Sequence, residues 1–532
     1  MSEESELAPR RGRLARMKRR QEALADTSQT RWMGVSGGRF QPLDPADIRA
    51  IDAAVFDLLE SPGLSRAPQG MIERVSAHGG RLTTDNRLLF PRELVQTALD
   101  GLRRDVVLYS RREGYHLDIS GARVHVGTGG AAPGILDIET HAYRQTTIQD
   151  LYDMARIVDL QEHIHFLSRP VVGTDAASPF DLDINTLYAC LAGTSKHICM
   201  SITLPEHVET IARICYAMAG SEEAFRRRPF LTVMATHVVP PMRFATESCE
   251  IVEQAVRHGL PVQLISAGQM GATSPVTLAG SIVQAVAESL AGVVFAWLVD
   301  PDAAIIFAPK PLVSDLRTGA MCGGGGEQAV VMAAAAQMGR HYGIPTACIA
   351  GYSDAKIHDA QAGYEKNLSV SLAAHAGCNM ISHACGTLAS MLGSSLESFI
   401  IDNDMLGGVL RSVHGVEINI ETLAVDTIRD VVNGEGHYLG HAQTLARMES
   451  DYIYPVIADR QTPDAWASDG SLDMLERARS SARTILSTHH PAYLDPETDA
   501  MLRREFNIML GEPRERRKES GFMPGIGQDL PS

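Results

Sequence analysis

From about residue 160 onward the chain repeats one rhythm, and no other feature constrains its fold as strongly. Short apolar runs occur at 166–172, 197–202, 231–238, 262–266, 304–308, 346–350 and 379–382. Between them lie segments with helical spacing of apolar residues, at 183–192, 206–219, 246–258, 278–290, 327–342 and 361–376. Strands that are short and apolar throughout belong to parallel sheets covered by helices on both faces. Seven such units in series favour a closed (β/α)8 TIM barrel over an open sheet. The eighth strand is expected after a helix at 396–413, near 416–420 or later. Gly259-Leu-Pro261 and Gly343-Ile-Pro345 stop helices just ahead of strands.

Around this α/β core the sequence divides into three further parts. Residues 1–44 read as a flexible tail with a basic run of Arg10, Arg11, Arg13, Arg16, Lys18, Arg19 and Arg20. Such a run is a solvated arm, or an arm that docks on an acidic surface. Residues 45–160 read as an N-terminal α+β domain that covers the barrel mouth. Its first helix, 45–59, places Ile48, Ile51, Val55 and Leu58 on one face behind Asp44 as N-cap. Helices at 71–77 and 91–101 and short strands at 106–109 and 123–126 follow. The glycine-rich stretch 127–134 opens no helix, so it is a loop over the mouth and not a dinucleotide fingerprint. Residues 161–460 hold the barrel, and 461–532 a C-terminal helical extension and tail.

The formal charge of −16 over 532 residues excludes a general nucleic-acid binder, which needs basic surface. No apolar run of about 20 residues stands out as a membrane span, and the N-terminus has no apolar signal core. A cytoplasmic protein is therefore expected. The eight cysteines form no Cys-x-x-Cys pair and sit in apolar company, as buried free thiols do.

The polar motifs concentrate between 315 and 366: Asp315-x-Arg317-Thr-Gly-Ala, the run Gly323, Gly324, Gly325, Gly326 before Glu327, Ser353-Asp354-x-Lys356, and Asp359-x-Gln361-Ala-Gly-Tyr364-Glu-Lys366. Two of these clusters fall where strands end, the place where chemistry collects in such folds. Together they resemble the trimethylamine methyltransferase family, over about residues 45–460. The resemblance implies a TIM barrel that moves a methyl group from a methylated amine to the cobalt of a partner corrinoid protein, and it also implies a homo-oligomer. The archaeal trimethylamine enzymes carry pyrrolysine. This chain is written in the ordinary twenty residues, so it resembles the non-pyrrolysine branch, whose substrates are quaternary amines such as glycine betaine. No cobalamin-binding Asp-x-His-x-x-Gly pattern occurs. The corrinoid is then supplied by the partner and not held as a resident cofactor.

Transfer from a quaternary nitrogen to Co(I) needs no general base, so the protein contributes positioning and desolvation. A methylated ammonium wants aromatic faces, and a carboxylate wants cations or backbone N–H groups. Arg317 and Lys356 are candidates to grip a carboxylate, although Arg317 could equally clamp to Asp315 or Asp354. The aromatic candidates are Phe307, Tyr352 and Tyr364, each of which could instead be core packing. His237, Gln269 and His383 follow strands and are further substrate-binding candidates, with a satisfied core histidine as the other reading of His237. Gly323 to Gly326 would admit a close-approaching corrinoid or turn N–H groups toward an anion, and could also be a flexible helix entry. Asp315, Asp354 and Asp359 are supporting residues, with Asp359 read mainly as a helix cap. No catalytic side chain is assigned.

Two other classes compete with this reading. His163-x-His165 resembles the metal pair of hydrolase barrels but precedes its strand. A non-catalytic protein that binds methylated amines is the second.

Overall fold

The computed structural model describes residues 34–512. All seven apolar runs form strands, most of them shorter than the run itself. In chain order the parallel strands are Arg123–Val126 (β1), Phe166–Ser168 (β2), His197–Met200 (β3), Leu231–Ala235 (β4), Val262–Ser266 (β5), Ile305–Pro309 (β6), Ala347–Ile349 (β7) and Met380–Ser382 (β8). Strands β2 to β6 form one five-stranded parallel sheet in sequence order. Strand β7 pairs with β8, and β8 with β1, also in parallel. Single parallel bridges, Gly127 to Phe166 and Phe307 to Thr346, connect the two groups at both ends. Val35–Ser36 adds an antiparallel strand outside β1, so these two residues belong to the sheet and not to a tail. The basic run at 10–20 lies outside the described residues.

The eighth parallel strand is therefore β1, and not a segment near 416–420. That segment has no strand, and Ile420 is 93% exposed. Residues 416–420 alternate apolar and polar side chains as a strand would, but all five are exposed among the described residues.

Each parallel strand is followed by a helix: Ile148–Asp159 (α1), Pro179–Gly193 (α2), His207–Ala219 (α3), Thr246–Arg257 (α4), Leu278–Val299 (α5), Gly326–Tyr342 (α6), Ala360–His375 (α7) and Leu396–His414 (α8). Local chemistry sets their ends. Thr147 and Asp150 close a capping box at the start of α1. Gly343, at φ +66°, ends α6 in the left-handed conformation. Helix α5 runs nine residues beyond the expected 290, and it is long and apolar enough to cross a membrane by length and composition. In this fold 78% of its most apolar stretch is buried, between strands β5 and β6 on one side and the helices Pro45–Glu60, Gln69–Ala77 and Arg92–Gly101 on the other. Asp44 caps Pro45–Glu60 as expected, accepting from Ala46 N at 2.7 Å and Asp47 N at 2.9 Å.

Side chains alternate across the sheet. Phe166, Cys199, Ile265, Ile306, Ala308, Ala347 and Met380 share one apolar cluster inside the ring of strands. Val106, Leu108, Leu117 and Ile119 belong to the same cluster and come from the hairpin Val107–Leu108/Leu117–Asp118. Tyr109 N donates to Pro229 O at 3.1 Å and Arg111 N to Ser195 O at 2.8 Å, just ahead of β4 and β3. The hairpin thus plugs the end where strands begin. Residues 45–160 do not sit together over the mouth: three helices flank α5, the hairpin fills the far end, and β1 joins the sheet. The loop 127–134 stays at the strand ends, where Gly127 O and Thr128 O accept from Ala384 N and His383 N. So does the hairpin Gly134–Leu136/Tyr143–Gln145, which pairs with Gly393–Ser394 and whose Tyr143 hydroxyl donates to Lys356 O at 2.8 Å. At the C-terminus, Met474–Thr488 packs on α8 and α1.

Three buried histidines are held neutral. His197 lies between Tyr109 O and Thr232 Oγ1, both at 2.8 Å, and His125 donates to Asp118 O at 2.9 Å. His237 donates to Glu288 O at 3.0 Å. Burial pulls each ring down to about 4. A depressed histidine pKa means that the unfolded chain takes up the proton first, so stability falls as pH drops from about 6.5 toward 4. The slope is up to about 1.4 kcal/mol per pH unit for each histidine. Urea midpoints should drop markedly between pH 7 and pH 5. An unchanged midpoint at pH 5 contradicts this account.

Candidate functional site at the strand ends

The ends of β1 to β8 enclose a pit. Inside it, the strand register brings Ser168 from β2, Met234 from β4, Ala308 from β6 and Ser382 from β8 to one height, and Lys310, just past β6, lies one layer nearer the mouth, level with Thr236. Layers drawn from alternate strands are the usual filling of such a core. Ser168 Oγ donates to Met234 Sδ at 3.4 Å. Met234 is only partly buried although it lies mid-strand, and Thr236 above it is exposed. Ala267 and His383, at the same height, are partly exposed too. The pit is open to solvent down to the Met234 layer.

Lys310 is 4% exposed, and among the described residues its Nζ has no hydrogen-bond or ion-pair partner. Burial brings its ammonium down to about 8. It lies close enough to His383 that its charge, after burial, helps hold that ring at about 3. His383 adopts φ +65°, packs against Gly129 and lies edge-on to Tyr352 at 6.2 Å between ring centroids. The Tyr352 hydroxyl is buried with no partner, and burial together with the Asp354 charge raises its pKa. Lys310 was missed in the sequence. The signal was a lysine closing an apolar run in Ala308-Pro309-Lys310-Pro311.

The glycine run is held by the chain itself. Asp354 accepts from Gly323 N at 2.8 Å, Gly324 N at 3.1 Å, Ser390 Oγ at 2.7 Å and Cys322 Sγ at 3.2 Å. Burial raises the Asp354 pKa, but these donors outweigh it and the net shift is down. A Cβ on Gly323 would lie 1.9 Å from the Tyr352 ring, and one on Gly324 would lie 2.0 Å from Glu365 Cδ. The close approach and the anion expected at this run are therefore internal: Tyr352, Glu365 and the Asp354 carboxylate. Gly325 caps α6, and Gly326 faces open space.

Glu365 ties the next motif in. It accepts from Ser353 Oγ at 2.6 Å, Asp354 N at 2.8 Å and Gln361 Nε2 at 2.8 Å. Lys366 pairs with Asp402 at 2.7 Å, both buried, and Asp402 also accepts from Gly386 N at 2.8 Å. Sequence reading placed the motif near the site but not these two roles of Glu365 and Lys366.

The other candidates scatter. Arg317 is 89% exposed on the hairpin Ser314–Asp315/Ala320–Met321 and forks onto Asp315 at 2.9 and 2.7 Å. That contact lowers the Asp315 pKa to about 2. Lys356 is exposed and donates to Asp354 O at 2.7 Å. Gln269 Nε2 reaches Gly319 O on the same hairpin at 3.4 Å. Tyr364 is 63% exposed on the outside of α7. Phe307 turns outward against Tyr342 of α6, and His237 outward against Glu288 and Gly292 of α5, so both are core residues. Asp359 caps α7 through Ala362 N at 3.1 Å. His165 meets His125 edge-on at 5.5 Å near the plugged end, while His163 packs against Gly407 of α8. No group of three or more metal-ligating side chains occurs among the described residues.

Comparison of the sequence with known proteins gives a family match. The family model described as "Trimethylamine methyltransferase (MTTB)" matches residues 9–509. The chain is 30% identical over 479 residues to trimethylamine methyltransferase MttB2 of Methanosarcina mazei, covering 89% of this chain and 95% of that one. It is 27% identical over 475 residues to the glycine betaine methyltransferase of Desulfitobacterium hafniense, covering 88% and 97%. Among solved structures, the Methanosarcina barkeri monomethylamine methyltransferase aligns over 86% of this chain and 90% of that one, at 11% identity and a TM-score of 0.49.

Proposed function

Since this chain belongs to the trimethylamine methyltransferase family, we propose that it takes a methyl group from a quaternary or other N-methylated amine, glycine-betaine-like, and passes it to Co(I) of a partner corrinoid protein. The observation that carries this reading is the family match over nearly the whole chain. The barrel it requires is supported by parallel pairing that runs from β1 through β8 and back to β1. In the transfer from a quaternary amine, the carbon–nitrogen bond breaks, the neutral tertiary amine leaves with the bonding pair, and cobalt supplies the pair for the new bond. No proton moves. The protein's task is to hold the ammonium in a dry pit whose mouth a partner can reach. Accessibility down to Met234 supports the second half of that task, reach from the mouth.

We further take the protein to act in the cytoplasm as a homo-oligomer. What supports a second copy is exposed apolar surface: Val416, Ile418, Ile420, Leu439 and Val456 are at least 69% exposed along one acidic stretch of the sequence. The basic run Arg10 to Arg20 of another chain complements that stretch in charge.

Incubating the enzyme with reduced cob(I)alamin and a panel of methylated amines tests the chemistry. Methylcobalamin should accumulate with at least one quaternary amine, seen by its absorption spectrum. Demethylation of none of them, with free cobalamin or with a corrinoid protein encoded nearby, rules the reading out.

A further inference from the structure

We propose that Lys310 is the carboxylate anchor of this site, so that the pit selects zwitterionic betaines over simple quaternary cations. This rests on the reading of the site as one for methylated amines. It moves the anion-binding role from the exposed Arg317 and Lys356 to a residue inside the ring of strands.

Lys310 directly follows β6, two positions on from Ala308, which lines the lumen. That parity turns it inward, one layer nearer the mouth than Ser168, Met234 and Ser382 and level with the exposed Thr236. The residue is 4% exposed and no hydrogen bond or ion pair of its Nζ is found among the described residues, in a fold where the other buried lysines are satisfied. Lys196 donates to Val158 O, Gln161 O and Ile164 O, and Lys366 is paired with Asp402. A buried charge is costly without a partner. The nearby side chains bring no negative charge: Ser168 and Ser382 are neutral hydroxyls whose protons go to Met234 Sδ and Cys348 O, and His383 is a neutral ring. An arriving carboxylate would complete the pair, with its trimethylammonium end directed up the open pit toward the mouth. Arg317 is unsuited to this task, because Asp315 occupies its fork in water.

The same cation sets specificity. A betaine offers Lys310 its carboxylate. Choline or tetramethylammonium brings only a second positive charge into a low-dielectric pit, where like charges repel. Replacing the ammonium by an apolar side chain of similar length should therefore act in opposite directions on the two ligand classes.

The test is calorimetry of the full-length protein, without cobalamin, against glycine betaine, proline betaine, carnitine, choline and tetramethylammonium. Wild type should prefer the carboxylated ligands. Lys310→Met should weaken their binding by about 100-fold and leave choline unchanged or tighter. Lys310→Arg, which keeps the charge, should preserve the preference, and it guards against a folding defect in the first variant. If betaine affinity survives Lys310→Met, or if choline and betaine lose affinity equally in a variant with a wild-type melting curve, the anchor role is wrong. Wild type that binds choline as well as betaine, yet still methylates cobalamin, overturns the anchor and leaves the methyl-transfer reading standing. If none of the five ligands binds, the anchor falls together with the quaternary-amine reading itself.

Discussion

Asp354→Ala should cut methyl transfer by about 100-fold or more and release the glycine run, because one carboxylate holds the whole turn. Gly323 N–H, Gly324 N–H, the Ser390 hydroxyl and the Cys322 thiol all point at it. A hydrogen bond to a charged group contributes about 1.5–3 kcal/mol, and a donor left unpaired costs about 1–3 kcal/mol. Shared among four donors that can partly re-solvate, the net loss should be about 3 kcal/mol. It should appear first as faster amide exchange at Gly323 and Gly324. The damage reaches the pit through Tyr352, whose ring rests on Gly323. Asp354→Asn should fall between wild type and alanine, since its amide group turns donors toward donors. Unchanged exchange at the two glycines in Asp354→Ala would mean that the run is held by packing alone.

The second large effect is expected at Lys366 and Asp402. Their side chains are 2% and 5% exposed, and they join α7 to α8 beneath the loop that follows β8. Removing one partner of a buried pair strands the other charge and costs about 3–5 kcal/mol. Lys366→Met should therefore lower the unfolding midpoint sharply. Lys366→Met combined with Asp402→Asn should recover most of the loss, because the asparagine oxygen still accepts from Gly386 N. A double variant as unstable as the single one would show that lysine packing, and not charge, is what Asp402 requires.

Both effects involve motifs that are plain in the chain, yet their partners are not. Ser353-Asp354-x-Lys356 announces a polar strand end, but nothing local says that Asp354 turns back on a glycine run 30 residues earlier. Phe307 and His237 show the difficulty from the other side. Where both faces of a strand are apolar, no alternation marks which residues look into the lumen. One position of parity separates His237, wedged on α5, from the exposed Thr236 in the pit. Lys310 was overlooked for the same reason, and because prolines on both sides make it look like a loop residue. The eighth strand shows a third kind of limit. Arg123–Val126 is recognisable as a short strand, but its place beside β8 depends on pairing with residues more than 250 positions away.

The order of strands and helices, the cap at Asp44 and the helix stops at Gly259 and Gly343 follow from local spacing and backbone preference, which the chain carries residue by residue. So does family membership, which resides in contiguous motifs. Which strand closes the parallel run, which glycine N–H groups meet an internal carboxylate, and which lysine is buried without a partner were decided only by tertiary packing. Those outcomes depend on long-range hydrogen bonds and desolvation, and both come into being only when distant segments meet.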